Sequence, residues 1–205
     1  HGVVRCALGW ACWKTYVGRP ETDRVRSWAM NLLGNGLDAA NNYADALPVR
    51  EADLSMLRRL GASEDHALVV QGNLANTYEF VGRLEEALSI KRDVYSGYVK
   101  LLGREHRETL VVANNYALSL LKLQRFEEAK SLLRKEIPVA RRVLGESQEV
   151  TLRMSLNYAT ALYKDPGATL DDLREAVTTL EDAERTARRV FGGAHPNTMG
   201  IEGSL

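Results

Sequence analysis

The fold is decided by residues 71–90, QGNLANTYEFVGRLEEALSI, because the chain repeats this stretch 42 residues later as ANNYALSLLKLQRFEEAKSL, residues 113–132. Asn73 and Asn115 are each followed two residues later by an Ala, and each copy continues to Arg-x-Glu-Glu-Ala. A similarity that returns at a fixed period is the signature of repeat proteins. One small unit cannot bury its own apolar face, so the sequence predicts copies stacked on each other.

The same period runs through most of the chain. Asparagine recurs at steps of 42 residues, at Asn31, Asn73, Asn115 and Asn157. A Leu-Gly or Phe-Gly pair closes each unit, with its glycine at Gly61, Gly103, Gly145 and Gly192. The last of these steps is 47 residues rather than 42. We expect the extra residues in a lengthened turn at 163–172.

Each unit divides into two amphipathic halves, separated by a break at Gly82-Arg83 in one copy and at Gln124-Arg125 in the next. In residues 108–123 apolar residues recur at i, i+3, i+4 and i+7, as on one face of a helix. The second half opens with acidic residues and ends in arginines and a glycine, which suits the helix dipole and a helix C-terminus. The pattern therefore predicts helix hairpins, with helices at 3–16, 21–40, 43–60, 65–81, 84–102, 107–123, 126–144, 148–164, 170–191, and a tenth that starts near 196.

These patterns predict an all-α protein in three parts. Residues 1–19 form an N-terminal capping helix, and residues 195–205 start a further repeat or a C-terminal cap. Between them, residues 20–194 form four hairpins, at about 20–61, 62–103, 104–145 and 146–192. Alanine recurs where the two helices of a hairpin must cross closely, since a bulky side chain there would push them apart. These alanines are Ala75, Ala87, Ala117, Ala129, Ala159 and Ala176.

The segment Gly82-Arg83-Leu84-Glu85-Glu86-Ala87, with Ala75 and Tyr78 upstream, resembles the tetratricopeptide repeat. The 42-residue length and the Leu-Gly-x-x-His linker, best kept at Leu102-Gly103-Arg104-Glu105-His106, resemble the repeats of kinesin light chains. This resemblance covers roughly residues 20–200. It implies a right-handed superhelical solenoid of antiparallel helix hairpins, in which first helices line a concave groove and second helices form the convex back. It also implies that the groove binds a peptide segment of a partner protein.

Candidate groove residues follow from Ala75, if that residue packs between the two helices. The positions two before it, one after it and four after it then turn toward the groove. An Asn side chain has one acceptor and two donors, so it can bond both the C=O and the N–H of a peptide backbone. The resemblance carries this role to Asn73, Asn115 and Asn157, whereas Asn31 matches by spacing only. With their neighbours, the candidates are Asn31, Asn73, Asn76, Phe80, Asn114, Asn115, Leu118, Lys122, Arg153, Asn157, Thr160, Tyr163 and Lys164.

Two interpretations of these polar residues remain open. The asparagines contact a ligand, or they bond to the adjacent hairpin and fix its stacking angle. The basic residues Lys122, Arg153 and Lys164 suit acidic residues of a ligand, or they are solvated charges on a helix face. A substitution that weakens binding without lowering the melting temperature favours the first interpretation.

Composition limits the class of protein. The chain carries 27 basic and 27 acidic residues, so nothing indicates a nucleic-acid partner. No apolar run approaches the roughly 20 residues that span a bilayer, so membrane insertion is not expected. Cys6 and Cys12 lie on different faces of a helix, so we expect free thiols in the cytoplasm or another reducing compartment. No catalytic, metal-binding or phosphate-cradling motif occurs, which predicts a protein without enzymatic activity or cofactor.

Two functions of different class fit this sequence. The first is an adaptor or scaffold whose groove binds a protein or peptide ligand. The second is a structural subunit of a larger assembly, which docks through its convex face or its ends. Burial of Trp10 or Trp13 against another chain would favour the second.

Overall fold

The computed structural model describes residues 2–192 and contains nine α-helices and no strand within that range. The predicted helix from residue 196 and the segment 195–205 lie outside the described residues. The helices are α1 Gly2–Tyr16, α2 Arg24–Ala39, α3 Tyr43–Arg59, α4 Glu64–Phe80, α5 Leu84–Leu102, α6 Arg107–Lys122, α7 Phe126–Val143, α8 Glu149–Lys164 and α9 Leu170–Phe191. The all-α prediction is confirmed, and consecutive helices alternate with short turns as helix hairpins do.

Local backbone chemistry sets the helix ends. Gly61, Gly103 and Gly145 follow α3, α5 and α7 with positive φ, the left-handed conformation that ends many helices. The largest error is at the start of α2, predicted at residue 21. There the Asp23 carboxylate accepts a hydrogen bond from the backbone N–H of Val25, and this cap starts the helix at Arg24.

The chain forms two compact units, which divide between Val94 and Tyr95 inside α5. In the N-terminal unit, α1 packs on α2, α2 on α3 and α3 on α4. In the C-terminal unit, α7 contacts α6 and α8, and α8 contacts α6 and α9. The division into a cap and four repeats at the predicted boundaries remains a proposal.

Small residues let the helices of each unit approach closely. Ala117 and Ala129 in the C-terminal unit are fully buried, as are Ala75 and Ala87 in the N-terminal unit. Around Ala117, a core of leucines, alanines and Tyr158 joins α6, α7, α8 and α9. The predicted alanine positions therefore hold no exposed surface.

The contact between α1 and α2 is closer still, because it is made through glycines. A Cβ added to Gly36 would lie 2.6 Å from the carbonyl oxygen of Arg5 and 2.9 Å from Cα of Cys6. A Cβ on Gly9 would lie 2.9 Å from the carbonyl oxygen of Leu32. The two backbones therefore meet where any side chain would clash. The predicted capping helix is held by this glycine seam, with Cys6 and Trp13 packed beside it.

A polar cluster links three helices of the N-terminal unit. The Ser27 hydroxyl donates to the carboxylate of Asp53 at 2.7 Å, and Nε2 of His66 lies 3.4 Å from the same hydroxyl oxygen. Asp53 is 2% exposed. Burial raises the pKa of Asp53, and this effect outweighs the opposing influence of the Ser27 hydrogen bond, His66 and Arg50.

Replacing Asp53 by Asn tests this cluster. Because the folded state binds the Asp53 proton more tightly than the unfolded chain, the free energy of unfolding falls as the pH rises from 3.8 through the raised pKa. Asn keeps an acceptor for Ser27 but does not titrate. We therefore expect Asp53→Asn to flatten this pH dependence and to raise the melting temperature at neutral pH. The control Asp93→Asn, at an exposed position, should change neither. A lower melting temperature for Asp53→Asn would show that attraction to Arg50 dominates.

Candidate functional site

The register of α2 corrects one predicted site residue. Buried residues of α2 match those of α4 at a step of 41, because Gly34 holds the place of Ala75 and Asn41 that of Gly82. Asn41 and Gly82 both follow their helices with positive φ. Leu32, not Asn31, therefore lies at the position equivalent to Asn73. Asn31 is half-buried beside it and accepts a hydrogen bond from Nδ2 of Asn35 at 2.9 Å.

The N-terminal unit presents an exposed apolar and amide surface on its first helices, α2 and α4. We call this surface the N-terminal face. It comprises Trp28, Leu32 and Asn35 on α2, and Val69, Asn73, Asn76 and Phe80 on α4. Trp28 is 69% exposed and Phe80 57% exposed. Phe80 stacks on Tyr43 with ring centroids 4.4 Å apart, which fixes the orientation of its ring.

The asparagines of α4 are the polar groups of this face that the fold does not use. Asn73 and Asn76 are half-buried, and neither side chain makes a hydrogen bond within residues 2–192. Asn35 differs, because its amide donates to Asn31 and its oxygen accepts from the guanidinium of Arg50. Half-buried amides without protein partners are suited to bond an incoming backbone.

The C-terminal unit presents a second surface on α6 and α8, the C-terminal face. On α6, Asn115 is half-buried and its side chain makes no hydrogen bond among the described residues. Beside it, Leu118 is 39% exposed and Lys122 is exposed. This arrangement of an available amide next to an exposed apolar residue matches that of Asn73 and Asn76 with Phe80.

Two other predicted asparagines have a structural role. Nδ2 of Asn157 on α8 donates to Oδ1 of Asn114 on α6 at 2.9 Å. Asn114 is 7% exposed, so it lies between the two helices rather than on an open surface. This pair ties consecutive first helices together. The prediction that Asn114 lines an open groove is wrong, because the side chain is enclosed by the contact between α6 and α8.

The remaining predicted residues on α8 are only partly available. Arg153 pairs with Glu149 at 2.7 Å, so its charge is shared with a neighbour one turn away. The ammonium of Lys164 lies 5.9 Å from the ring centre of Tyr163, which packs against the core. The hydroxyl of Thr160 donates to the backbone carbonyl of Leu156. A strongly basic surface is therefore not formed by α8.

A buried ion pair supports the turn after α8. Nζ of Lys130, on α7, lies 2.8 Å from the carboxylate of Asp165, in the lengthened turn. Burial alone would lower the pKa of Lys130, but hydrogen bonds to Asp165 and Glu127 raise it overall. The hydrogen bond from Lys130, followed by one from the backbone N–H of Gly167, lowers the pKa of Asp165. The sequence gave no signal for this pair, since Lys130 sits where the preceding repeat has Leu88.

Sequence reasoning also missed Trp28, Leu32 and Asn35. The signal that identifies them is the buried pattern of α2, in which Leu33 and Leu37 are enclosed and the residues preceding them in the turn are not. Over residues 2–192, no group of three or more His, Cys, Asp or Glu residues is arranged to hold a metal ion. Within the same range, none of the helices combines the length and apolarity needed to cross a membrane.

Comparison with known proteins agrees with the geometry of the hairpins. Residues 66–142 match the family model described as tetratricopeptide repeat. The chain is a tetratricopeptide-repeat protein. Proteins with these repeats are in general interaction modules rather than enzymes. A comparison with curated protein sequences found no match.

Solved structures of other repeat proteins are similar in fold. BtubC (BKLC) from P. vanneervenii gives a TM-score of 0.76 at 15% identity, over 98% of this chain and 83% of that one. A putative kinesin light chain from Podosopora anserina with nearly identical TPR-like repeats gives 0.73 at 18% identity, over 93% and 98%. The Rap protein complexed with Competence and Sporulation Factor gives 0.66 at 16% identity, over 98% of this chain and 56% of that one. These similarities confirm the resemblance to repeats of the kinesin light chain type.

Proposed function

We propose that this tetratricopeptide-repeat protein is an adaptor that binds an extended segment of a partner protein through the N-terminal and C-terminal faces of its first helices. The observation that carries the proposal is the set of half-buried amides at Asn73, Asn76 and Asn115, whose side chains make no hydrogen bond within residues 2–192. A half-buried amide without a partner loses part of its hydration, so a ligand that bonds to it recovers that cost.

Apolar residues beside these amides would supply side-chain specificity. Trp28 and Phe80 on the N-terminal face and Leu118 on the C-terminal face are exposed. A shallow cavity of about 330 Å³ lies over the glycine seam and is lined by Leu8, Leu32 and Asn35 with neighbouring backbone. Its size and apolar walls suit one large apolar side chain of the partner.

The ligand class is a peptide segment rather than a small molecule. Amides repeated along successive helices match the repeat of a peptide backbone, since each can bond one C=O and one N–H. The Rap protein, which shares the fold, is complexed with Competence and Sporulation Factor. That complex supports the proposal that this type of fold accommodates a bound factor.

The second candidate function is that of a subunit that docks through the N-terminal end. The observation that favours it is the outer side of α1, where Val3 is 78% exposed, Val4 62% and Leu8 65%. Apolar side chains clustered on one helix are typical of surfaces that contact another protein. Replacing Val4 and Leu8 by Lys would abolish this docking but leave peptide binding by the first helices intact.

Affinity capture from the source cells tests the main proposal. The baits are the wild type, Asn73→Ala with Asn115→Ala, and the control Asn42→Ala, which makes the same chemical change at an exposed turn residue. We expect a partner that is retained by the wild type and the control and lost by the double variant. A partner list that is the same for all three baits would contradict binding through these asparagines.

A further inference from the structure

A polar cavity of about 310 Å³ lies in the C-terminal unit, where the end of α7, the first turns of α8 and the second half of α9 meet. It is away from Asn115, Leu118 and Lys122, none of which lines it. Its walls are mostly hydroxyl and charged side chains. They include Thr151, Ser155, Arg141, Arg185 and Arg189.

Thr151 is the residue that the fold leaves unsatisfied at this cavity. It is 2% exposed, and its hydroxyl is enclosed without a hydrogen-bond partner. Thr109, 42 residues earlier, is the third residue of α6 as Thr151 is of α8. The Thr109 hydroxyl donates to the carbonyl of Gly103 at 2.7 Å, so the equivalent position is satisfied within the repeat. The unpaired hydroxyl is therefore a specific property of this cavity, and a buried polar group of this kind calls for a partner.

Charge around the cavity favours an anion. Arg141 and Arg189 line it, and neither makes an ion pair within residues 2–192. Arg185 lies 3.4 Å from Asp182 in an exposed pair, and Glu146 is the other acidic lining residue. Three arginines thus face two carboxylates.

The first turn of α8 adds to this field. Its N-cap residue, Gln148, makes no side-chain capping bond, so its first backbone N–H groups are not satisfied by the cap. A helix N-terminus carries a partial positive charge and is a common position for bound phosphate. Val99 stands where the next repeat has Arg141, so the preceding repeat lacks this basic group.

We propose that this cavity binds a phosphate group, either free phosphate or the phosphoryl group of a phosphorylated side chain. Guanidinium groups from α7 and α9 hold its oxygens, and the hydroxyl of Thr151 donates to one of them. Guanidinium forks and hydroxyls together match a tetrahedral oxyanion, whose oxygens point in several directions.

The experiment titrates the purified chain with inorganic phosphate and measures the melting temperature and the heat of binding, with sodium chloride at matched ionic strength as the reference. We expect saturable binding of one phosphate per chain. Thr151→Val should weaken it about tenfold, since a hydrogen bond to a charged group is lost. Arg141→Gln with Arg189→Gln should abolish it, whereas Arg142→Gln, next in sequence but paired with Glu105, should not.

Stability without phosphate separates this account from a folding defect. Thr151→Val removes an unpaired hydroxyl, so the variant should melt no lower than the wild type, whereas Thr109→Val should melt lower because it loses the bond to Gly103. Equal effects of phosphate and chloride, or unchanged phosphate binding in the double arginine variant, would overturn the proposal. O-phosphoserine as a second probe assigns the source. Tighter binding than inorganic phosphate supports a phosphorylated side chain, and equal or weaker binding supports free phosphate.

Discussion

Replacing Gly36 by Val is expected to detach α1 from α2. The added Cβ would lie 2.6 Å from the carbonyl oxygen of Arg5, and this obstacle is backbone that cannot rotate away. Overpacking a close contact costs about 1–3 kcal/mol and sometimes more. We expect a loss at or above the upper end of that range. The chain's three tryptophans are Trp10, Trp13 and Trp28, so their fluorescence reports on this contact alone.

Urea unfolding followed by both tryptophan fluorescence and far-ultraviolet circular dichroism measures this effect. In Gly36→Val, we expect the fluorescence transition at a lower urea concentration than the transition of the remaining helices. The control is Gly72→Ala, in the interior of α4, where an added Cβ meets nothing within 4 Å. That variant should gain about 0.5–1 kcal/mol, because Ala restricts the unfolded chain and favours helix. A fluorescence transition unchanged by Gly36→Val would contradict the close approach of the two backbones.

Removing the available amides is expected to weaken partner binding without destabilising the fold. Each Asn can make two hydrogen bonds to a peptide backbone, at about 0.5–1.5 kcal/mol each. Asn73→Ala and Asn115→Ala should therefore each raise the Kd of the captured partner segment about tenfold. Their melting temperatures should stay near that of the wild type, since neither side chain makes a hydrogen bond within residues 2–192.

Asn157→Ala is the contrasting variant, because it leaves Oδ1 of Asn114 buried without its donor. An unsatisfied buried acceptor costs about 1–3 kcal/mol, so we expect a lower melting temperature here. Calorimetry for binding and thermal unfolding for stability measure both properties on the same samples. If Asn73→Ala and Asn115→Ala also melted lower while Kd stayed unchanged, the structural interpretation of these asparagines would hold instead.

Helix positions could be predicted from the sequence because the signals are local. Glycines with positive φ, acidic first turns and arginines in last turns each act on the helix end where they occur. The period itself shows which glycines and alanines are equivalent. Even Gln124, which takes positive φ where the preceding repeat has Gly82, lies at the predicted break.

The role of each candidate site residue could not be read from the period. Asn115 and Asn157 are 42 residues apart, yet Asn157 bonds to Asn114, because Asn occurs at that neighbouring position on α6 and Leu156 on α8. Partners across helices decide whether a repeated polar residue is structural or available. Likewise, Asn31 keeps the 42-residue spacing, but α2 is related to α4 by 41 residues.

The glycine seam explains why the first repeat departs from the others. Gly9 and Gly36 bring α1 so close to α2 that the burial of α2 depends on α1 as well as on its own hairpin. These glycines are visible in the sequence, but nothing in it shows which backbone faces them. Buried ion pairs such as Lys130 with Asp165 are hidden for the same reason, since the partner lies 35 residues away.

Site-specific photo-crosslinking tests the central claim, that a partner segment binds the first-helix faces, most directly. A photoreactive amino acid replaces Leu118 on α6 in one variant and Ser131, exposed on α7, in another. After irradiation in extract of the source cells, peptide mapping identifies what each position contacts. The account predicts that one partner segment is crosslinked from position 118 and is not crosslinked from position 131. A partner crosslinked from position 131 and absent from position 118 would contradict it.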